Sequence, residues 1–414
     1  YNVQPLFIKT TAIMKKIISS AFVAISLIAA ASLSSGCCSK ETPDRQAKYI
    51  FVMIGDGMGA TQAAVAESYL SYKAGKLGGE QLCFTQFPVL GTCTTFSADK
   101  NITCSSASGT AIATGHKTNN NMLGVDPEGN SLKSMAYTLK EQGYRIGIMS
   151  SVPVNHATPA SFYGHNKNRG DYYNIAREIP ESDFDFFAGS GILQFKGKDN
   201  DKEGIDEYLE REGYDVCFGL QELKESEDRD GVVLIPASQR KESAANYEID
   251  RNDEDDYVLR DVVSAAIEYL GEDDPFFIMC EGGEIDWAAH DNNAMDLVDA
   301  TLRFDDAVKV AYEFYLRHPD ETLIIVTADH ETGGVTIGAN KGKSIGWEGI
   351  EKAFSEDRKY DSQEKREISF DNNIGWTTFD HTGGPVPIYA IGVGAERFAG
   401  RMDNTDIHDK IVRK

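Results

Sequence analysis

Apolar residues along this chain fall into five short continuous runs: YIFVMI at 49–54, YRIGIMS at 144–150, PFFIMC at 275–280, ETLIIVTA at 321–328 and PVPIYAIGV at 385–393. They are rich in Ile, Val and Phe and are bounded by Gly, Pro or Asp. A strand with one wet face alternates apolar and polar residues, whereas a strand covered on both faces need not. Unbroken runs of this length therefore predict strands buried on both sides, and the helix-length segments between them predict crossover helices. The fold class expected is α/β: a doubly wound, mostly parallel central sheet with helices on both faces.

Two regions interrupt this alternation. From about 183 to 256 the runs KGKDNDKEGIDEY, KESEDRDG and DRNDEDD concentrate charge, and 342–373 is similarly polar. Charge runs of this kind read as solvated faces or loops, here polar insertions in a single domain spanning 48–414. Asp250–Asp256 has the carboxylate density of a calcium loop. It lacks the Gly and the downstream Glu that an EF-hand loop needs, and no calcium site is expected there.

Ahead of the first run, Met14-Lys15-Lys16 lead into IISSAFVAISLIAAASL and then SSGCCSK. A charged start, an apolar stretch and a small-residue cleavage region are the parts of an export signal, placed at 14–36. A membrane span needs ~20 apolar residues, which this run barely reaches. Residues 1–13 contain no Met and read as an upstream extension or artefact, and 37–47 as a polar tether. LSSGC resembles a bacterial lipobox with Cys37 as the lipidated residue, although Ser34 stands where Leu is commoner. A lipid anchor through Cys37 and plain cleavage both stay open, so the location expected is the periplasm or an outer-membrane lipoprotein.

Composition narrows the partners. The 414 residues carry a formal net charge of −24, which becomes −27 once Lys9, Lys15 and Lys16 leave with the leader. So acidic a surface argues against nucleic acid as a partner. An anionic small molecule remains possible wherever local cations overcome that field. Among seven cysteines, Cys83 and Cys93 could pair after export, with buried free thiols as the alternative.

The candidate chemistry lies at the strand ends. Asp56 follows its strand in IGDGMG, Glu281 in CEGGEIDWAAH, Asp329 and His330 in TADHETGG, and His381 precedes its strand in DHTGG. Ligands of open parallel sheets bind at the carboxyl ends of the strands. Singly, an Asp before Gly is usually a turn residue; jointly, these donors converge on one rim. A helix from Glu284 to Ala294 would put Asp286 and His290 four residues apart on one face. Such nitrogen and oxygen donors suit zinc, and paired metal ions serve phosphoryl transfer. One more stretch, NITCSSASGTAIATGHKT at 101–118, offers Cys104, Ser105, Ser106 and Ser108 as nucleophiles.

IGDGMG, the Ser-x-x-Ser-x-Thr-Ala helix start, HATPASFYGHNKNR, EGGEIDWAAH, TADHETGG and HTGG, in this order, resemble the alkaline phosphatase family from Lys48 onward. The resemblance implies hydrolysis of small phosphomonoesters to phosphate and an alcohol at alkaline pH, through a phosphoserine, with two zinc ions (Zn2+) and one magnesium ion (Mg2+). It places Asp286, His290 and His381 on the first zinc and Asp56, Asp329 and His330 on the second. Asp56 would also reach the magnesium, with Thr158 and Glu281. Ser105 would be the nucleophile, activated by zinc, and Arg169 would clamp two phosphate oxygens. Cys104 stands where the family usually has an Asp that steadies this arginine, which leaves Asn166 or Asp171 as substitutes. His156 and Trp287 occupy positions where some relatives carry Asp and Lys, implying weaker phosphate binding. Homodimers are common among relatives.

Three other functions fit these residues less well. A phosphodiesterase of the same superfamily usually has a Thr nucleophile and no magnesium site, unlike Ser105 with Thr158 and Glu281. A sulfatase needs Cys-x-Pro-x-Arg, and Cys104-Ser105-Ser106-Ala107-Ser108 does not supply it. A secreted metal-dependent binding or scavenging module would leave the nucleophile unexplained.

Overall fold

A computed structural model describes residues 46–226, 231–238, 257–355 and 359–412. The extension 1–13, the signal 14–36, Cys37 with most of its tether, and Asp250–Asp256 lie outside the described residues. Fourteen strands are found among the described residues: β1 (Tyr49–Gly55), β2 (Val89–Thr94), β3 (Arg145–Ser150), β4 (Phe186–Ala188), β5 (Tyr214–Phe218), β6 (Gly231–Ile235), β7 (Phe276–Gly282), β8 (Thr322–Thr327), β9 (Glu331–Thr332), β10 (Thr336–Ile337), β11 (Ile374–Gly375), β12 (His381–Thr382), β13 (Val386–Gly392) and β14 (Gly400–Asp403). Ten form one sheet in the order β14-β2-β13-β8-β1-β7-β3-β4-β6-β5; β9 pairs with β12 and β10 with β11 as short ribbons.

The apolar runs behave as buried strands should. Every residue of β1, β7 and β8 is buried. Adjacent residues of β7 point to opposite faces, and the covering rings show it. Phe276 packs 5.3 Å from Phe314 of the helix Ala294–Arg317, while Phe277 lies 6.2 Å from Phe162, which follows the helix Ala157–Ala160. Each fully buried ring contributes about 1.5–3 kcal/mol. Helices therefore cover both faces, as the unbroken runs require.

The register levels the functional ends. Ile54 of β1 sits opposite Glu281 of β7 and Thr327 of β8, and Ser150 of β3 also faces Glu281. β13 runs antiparallel to both β8 and β2. This explains how His381, which precedes its strand, reaches the rim that Asp56 and Asp329 reach by following theirs.

Two sequence expectations change. The charged middle segment is more than a solvated insertion: it supplies β4, β5 and β6, which extend the sheet to its edge. FFA, YDVCF and GVVLI are short, and the charge runs around them hide them. The helix expected over Glu284–Ala294 stops at His290. Asn292 takes a positive φ of 51°, and Asn293 caps the next helix by accepting from the Met295 and Asp296 amides. Cys83 and Cys93 are both free thiols, so the alternative to a disulfide stands. In the polar 342–373 region, helices Trp347–Ser355 and Ser362–Asp371 form, with Trp347 and Ile350 buried. No helix among the described residues is long and apolar enough to cross a membrane.

Candidate active site

Backbone turns after β1 and β8 bring the first cluster together. Asp56, Asp329 and His330 are buried, and each offers one ligand atom within 4.8 Å of the other two. Gly57 holds φ +70°, and a Cβ there would come 2.8 Å from Thr332 Oγ1 and 3.0 Å from Asp286 Oδ1. Only glycine lets the chain pass this close. His330 Nε2 lies 3.3 Å from Asp56 Oδ1, 3.3 Å from Asp329 Oδ2 and 3.3 Å from Ser105 Oγ.

In the second cluster, Asp286, His290 and His381, the carboxylate is buried and the two histidines are partly exposed, and it meets the same 4.8 Å criterion. One helical turn brings His290 Nε2 to 3.4 Å from Asp286 Oδ2, and His381 Nε2 lies 3.6 Å from Asp286 Oδ1. The distal nitrogens are tied to the backbone: His290 Nδ1 to the Phe379 carbonyl, His381 Nδ1 to the Thr103 carbonyl at 2.9 Å. The His330 and His381 rings stack with centroids 3.6 Å apart, joining the clusters.

Burial makes these groups expensive without cations. It pushes Asp56 well above the ordinary carboxylate range, helped by the charges of Asp329, Asp286 and Glu281. It pushes Asp329 up to about 6, with Asp286 adding to it, and Glu281 up to about 7 against the hydrogen bond from Ser150. His330 is held far below the usual imidazole value by burial and by His381. Asp286 goes the other way: burial opposes its charge, but the hydrogen bond from His290 and the His290 charge hold it low. His290 rises to about 9 despite burial because Asp286 faces it. Asp56 Oδ1, Asp329 Oδ2 and Glu281 Oε1 are buried and accept no hydrogen bond. Buried carboxylate oxygens without donors are strongly unfavourable, and divalent cations are the partners this donor set fits.

Next to Asp56, Thr158 Oγ1 donates to Asp56 Oδ2 at 3.4 Å, and Ser150 hydrogen-bonds Glu281. Ser105 opens the helix Ser105–Thr114, with Cys104 as N-cap and Gly115 closing it at φ 74°. Ser105 Oγ lies 3.5 Å from Arg169 Nη1. The other two hydroxyls turn away: Ser108 donates to the Asp329 carbonyl at 2.6 Å, and Ser106 Oγ contacts Cys104 Sγ at 3.2 Å.

Arg169 is oriented differently from expectation. Asn166 donates to Asp171 at 3.1 Å, so these two partner each other rather than the guanidinium. Arg169 Nη2 instead donates to His156 Nε2 at 3.3 Å. Burial, then the Arg169 charge, drives His156 down to about 3, leaving it a neutral acceptor. Its ring lies parallel to Tyr172 at 6.4 Å and edge-on to Trp287 at 6.0 Å. Cys104 is not idle either: Sγ accepts the Asn121 amide at 3.1 Å, and the Asn121 carbonyl accepts the Arg169 amide at 2.8 Å. Burial raises the thiol, yet the amides of Asn121 and Ala107, the Ser106 hydroxyl and the Arg169 charge bring it below its ordinary value.

Sequence reasoning missed Ser150, Asn121 and Thr332, and the carbonyls of Thr103 and Phe379. Thr332 sits in the TADHETGG motif itself, which was the available signal; a carbonyl acts through the backbone and leaves no residue type to read.

The sequence profile described as alkaline phosphatase matches residues 47–360 and 340–413. Alkaline phosphatase 4 of Bacillus subtilis is 33% identical over 420 residues, covering 89% of this chain and 88% of its own. The alkaline phosphatase of the Antarctic bacterium TAB5 superposes with a TM-score of 0.72 at 31% identity, over 89% of this chain and 98% of that one. A TAB5 variant with a histidine replaced by glutamate, 30% identical with TM-score 0.72 over 89% of this chain and 97% of that one, has magnesium bound in its M3 site. Matched along nearly its whole described length in sequence and fold, the chain belongs to the alkaline phosphatase family.

Proposed function

We propose that Ser105 is the nucleophile of a metal-dependent phosphomonoesterase and that Arg169 holds the transferred phosphoryl group. The carrying observation is the position of Ser105 Oγ, 3.3 Å from His330 Nε2 and 3.5 Å from Arg169 Nη1, where a buried ligand cluster meets a guanidinium. Asp286, His290 and His381 would hold one zinc, and Asp56, Asp329 and His330 the other. Asp56 with Thr158 and Glu281 would hold magnesium. When bound, these ions supply Lewis acidity, lower the hydroxyl pKa and offset the carboxylate charge.

The chain's own residues do the rest. The amide end of Ser105–Thr114 faces the phosphoryl group with its positive dipole. Arg169 binds two of its oxygens in a fork that lysine could not reproduce. Ser105 Oγ forms the bond to phosphorus as the ester oxygen leaves in line, and water then cleaves the phosphoserine to give phosphate and the free serine. Neutral His156 turns the guanidinium toward Ser105 while adding no charge. His156 and Trp287 supply neither a carboxylate nor an ammonium, which supports weaker phosphate retention.

The same reading takes residues 48–414 as one catalytic domain exported behind the 14–36 leader to the periplasm or, through Cys37, to the outer membrane. Its partners are small phosphomonoesters and a second copy of the chain in a homodimer. Replacing Ser105, Ser106 and Cys104 by alanine one at a time tests the nucleophile: turnover is lost in Ser105→Ala alone, and a loss confined to Ser106→Ala overturns the assignment. Comparing a nitrophenyl monoester with its bis-ester separates monoesterase from phosphodiesterase, and faster turnover of the bis-ester overturns the reading. Elemental analysis of the purified protein tests the three-ion complement.

A further inference from the structure

Three histidines face the two ligand clusters with Nε2, and each needs an acceptor for the proton on Nδ1. His290 and His381 use backbone carbonyls, of Phe379 and Thr103. His330 does not: its Nδ1 lies 3.2 Å from Thr332 Oγ1, the hydroxyl of a fully buried side chain. That hydroxyl has one proton, and Asp286 Oδ1 stands 2.5 Å away to receive it. The directions are thereby fixed. His330 donates from Nδ1 to Thr332, Thr332 donates to Asp286, and His330 Nε2 is left with a lone pair facing Asp56 and Asp329.

The threonine itself has little freedom. Its amide donates to the Gly57 carbonyl at 3.1 Å, next to Asp56, and its carbonyl accepts from Gln62 Nε2 at 2.8 Å. In the β9–β12 ribbon it pairs in register with His381. The absence of a Cβ at Gly57 keeps the space its hydroxyl occupies, since a methyl there would lie 2.8 Å from Oγ1. Thr332 thus touches His330 of one cluster and Asp286 of the other, and its backbone is fixed beside Asp56 and His381.

We infer that Thr332 is a positioning residue that couples the two cation sites, setting the His330 tautomer and the Asp286 rotamer with one hydroxyl. The inference rests on the two-cation reading above. Partners that orient metal-bound histidines typically contribute about 10–100-fold in metal affinity. Because this one serves both clusters, its loss weakens both together.

Thr332→Val keeps the shape and removes the hydroxyl; Thr332→Ser keeps the hydroxyl. Zinc retained by full-length protein in zinc-buffered chelator, measured by elemental analysis, and the visible absorption of cobalt-loaded protein give readouts independent of turnover. Thr332→Val is expected to lose about 10–100-fold in affinity at both sites and to show altered cobalt bands, while Thr332→Ser restores both. A Thr332→Val protein that titrates like wild type overturns the inference. So does a loss confined to one site, or a Thr332→Ser protein as weak as the valine variant, which also covers the case of a poorly folding valine variant. Wild-type protein that takes up no zinc overturns the underlying reading instead.

Discussion

The two ligand clusters share a wall and differ in almost everything else. Asp56, Asp329 and His330 are buried and set by strand ends, with two carboxylates pushed upward and an imidazole held neutral. Asp286, His290 and His381 come from one helical turn and a ribbon, and Asp286 with His290 already forms an ion pair. The inner cluster is frustrated without a cation, whereas the outer one largely neutralises itself. Burial drives the shifts of the inner cluster, whereas in the outer one the Asp286–His290 pair overcomes it; the decision falls on whether a charged imidazole is within reach.

The strongest way to break this contrast is to delete one ligand from each cluster. Asp329→Ala should reduce turnover by on the order of 10³-fold, with added zinc giving no recovery, because it removes charge and ligand beside Ser105. His290→Ala should fall less and recover as free zinc is raised. Equal zinc rescue of both variants would show that the clusters do not differ as argued. Arg169→Ala follows, losing about 10²–10³-fold in kcat/KM on removal of phosphoryl charge stabilisation. Arg169→Lys should recover only part of it, since an ammonium offers one point of charge.

Stability against pH is the next separation, read on chelated protein. Asp329 moves from 3.8 to about 6 and Glu281 from 4.5 to about 7. A carboxyl raised in the folded state favours folding below its unfolded value, and that advantage is lost as pH rises through the folded one. The inner groups should therefore cost a few kcal/mol between about pH 4 and pH 7. Asp286, held low, contributes stability above pH 3.8 that disappears only in stronger acid. His290, raised from 6.5 to about 9, stabilises fully below 6.5 and loses that as pH passes 9. Chelated wild type should melt lower at pH 8 than at pH 5; Asp329→Asn should narrow the part of the gap that opens below about pH 6, and His290→Ala only the part that opens above pH 6.5. Melting curves in which Asp329→Asn leaves the gap intact would count against burial as its source.

Legibility from sequence followed the same division between side chain and backbone. β1, β7 and β8 were readable because strands covered on both faces must be continuously apolar, and the ligands beside them are of types with distinctive chemistry. β4, β5 and β6 were not, since FFA, YDVCF and GVVLI are short and lie among charge runs. The Glu284–His290 turn was readable through its i, i+4 pair, but its end was set by Asn292 and Asn293, whose conformations no periodicity reveals. Arg169 reaches Ser105 Oγ at 3.5 Å through Nη1, and its partner is His156 rather than Asn166 or Asp171. A histidine buried among Tyr172 and Trp287 becomes an acceptor only because burial and the guanidinium keep it neutral.

A smaller effect probes what surrounds that arginine. Trp287→Lys adds an ammonium next to His156, and one screened charge near a phosphate site changes affinity by about tenfold. Inorganic phosphate should inhibit the variant more tightly and product release should slow. Tighter inhibition of the wild type than of the variant would remove Trp287 from the phosphate site.

The smallest expected change tests Cys104, where a thiol takes a position at the helix start. Its sulfur accepts the Asn121 amide, and the Asn121 carbonyl accepts the Arg169 amide, so the link to the clamp runs through the backbone of Asn121, a residue at φ 70°. Removing an acceptor of this kind costs about 1 kcal/mol, which should appear as a several-fold loss of kcat/KM in Cys104→Ala with little change in folding. Cys104→Asp supplies a full carboxylate to the same amide and adds charge beside Arg169, so it should match or exceed wild type. If alanine and aspartate behave alike, the sulfur only fills space and Arg169 is set by His156 alone. If aspartate restores what alanine loses, the backbone path from Cys104 through Asn121 shares with His156 in aiming the guanidinium.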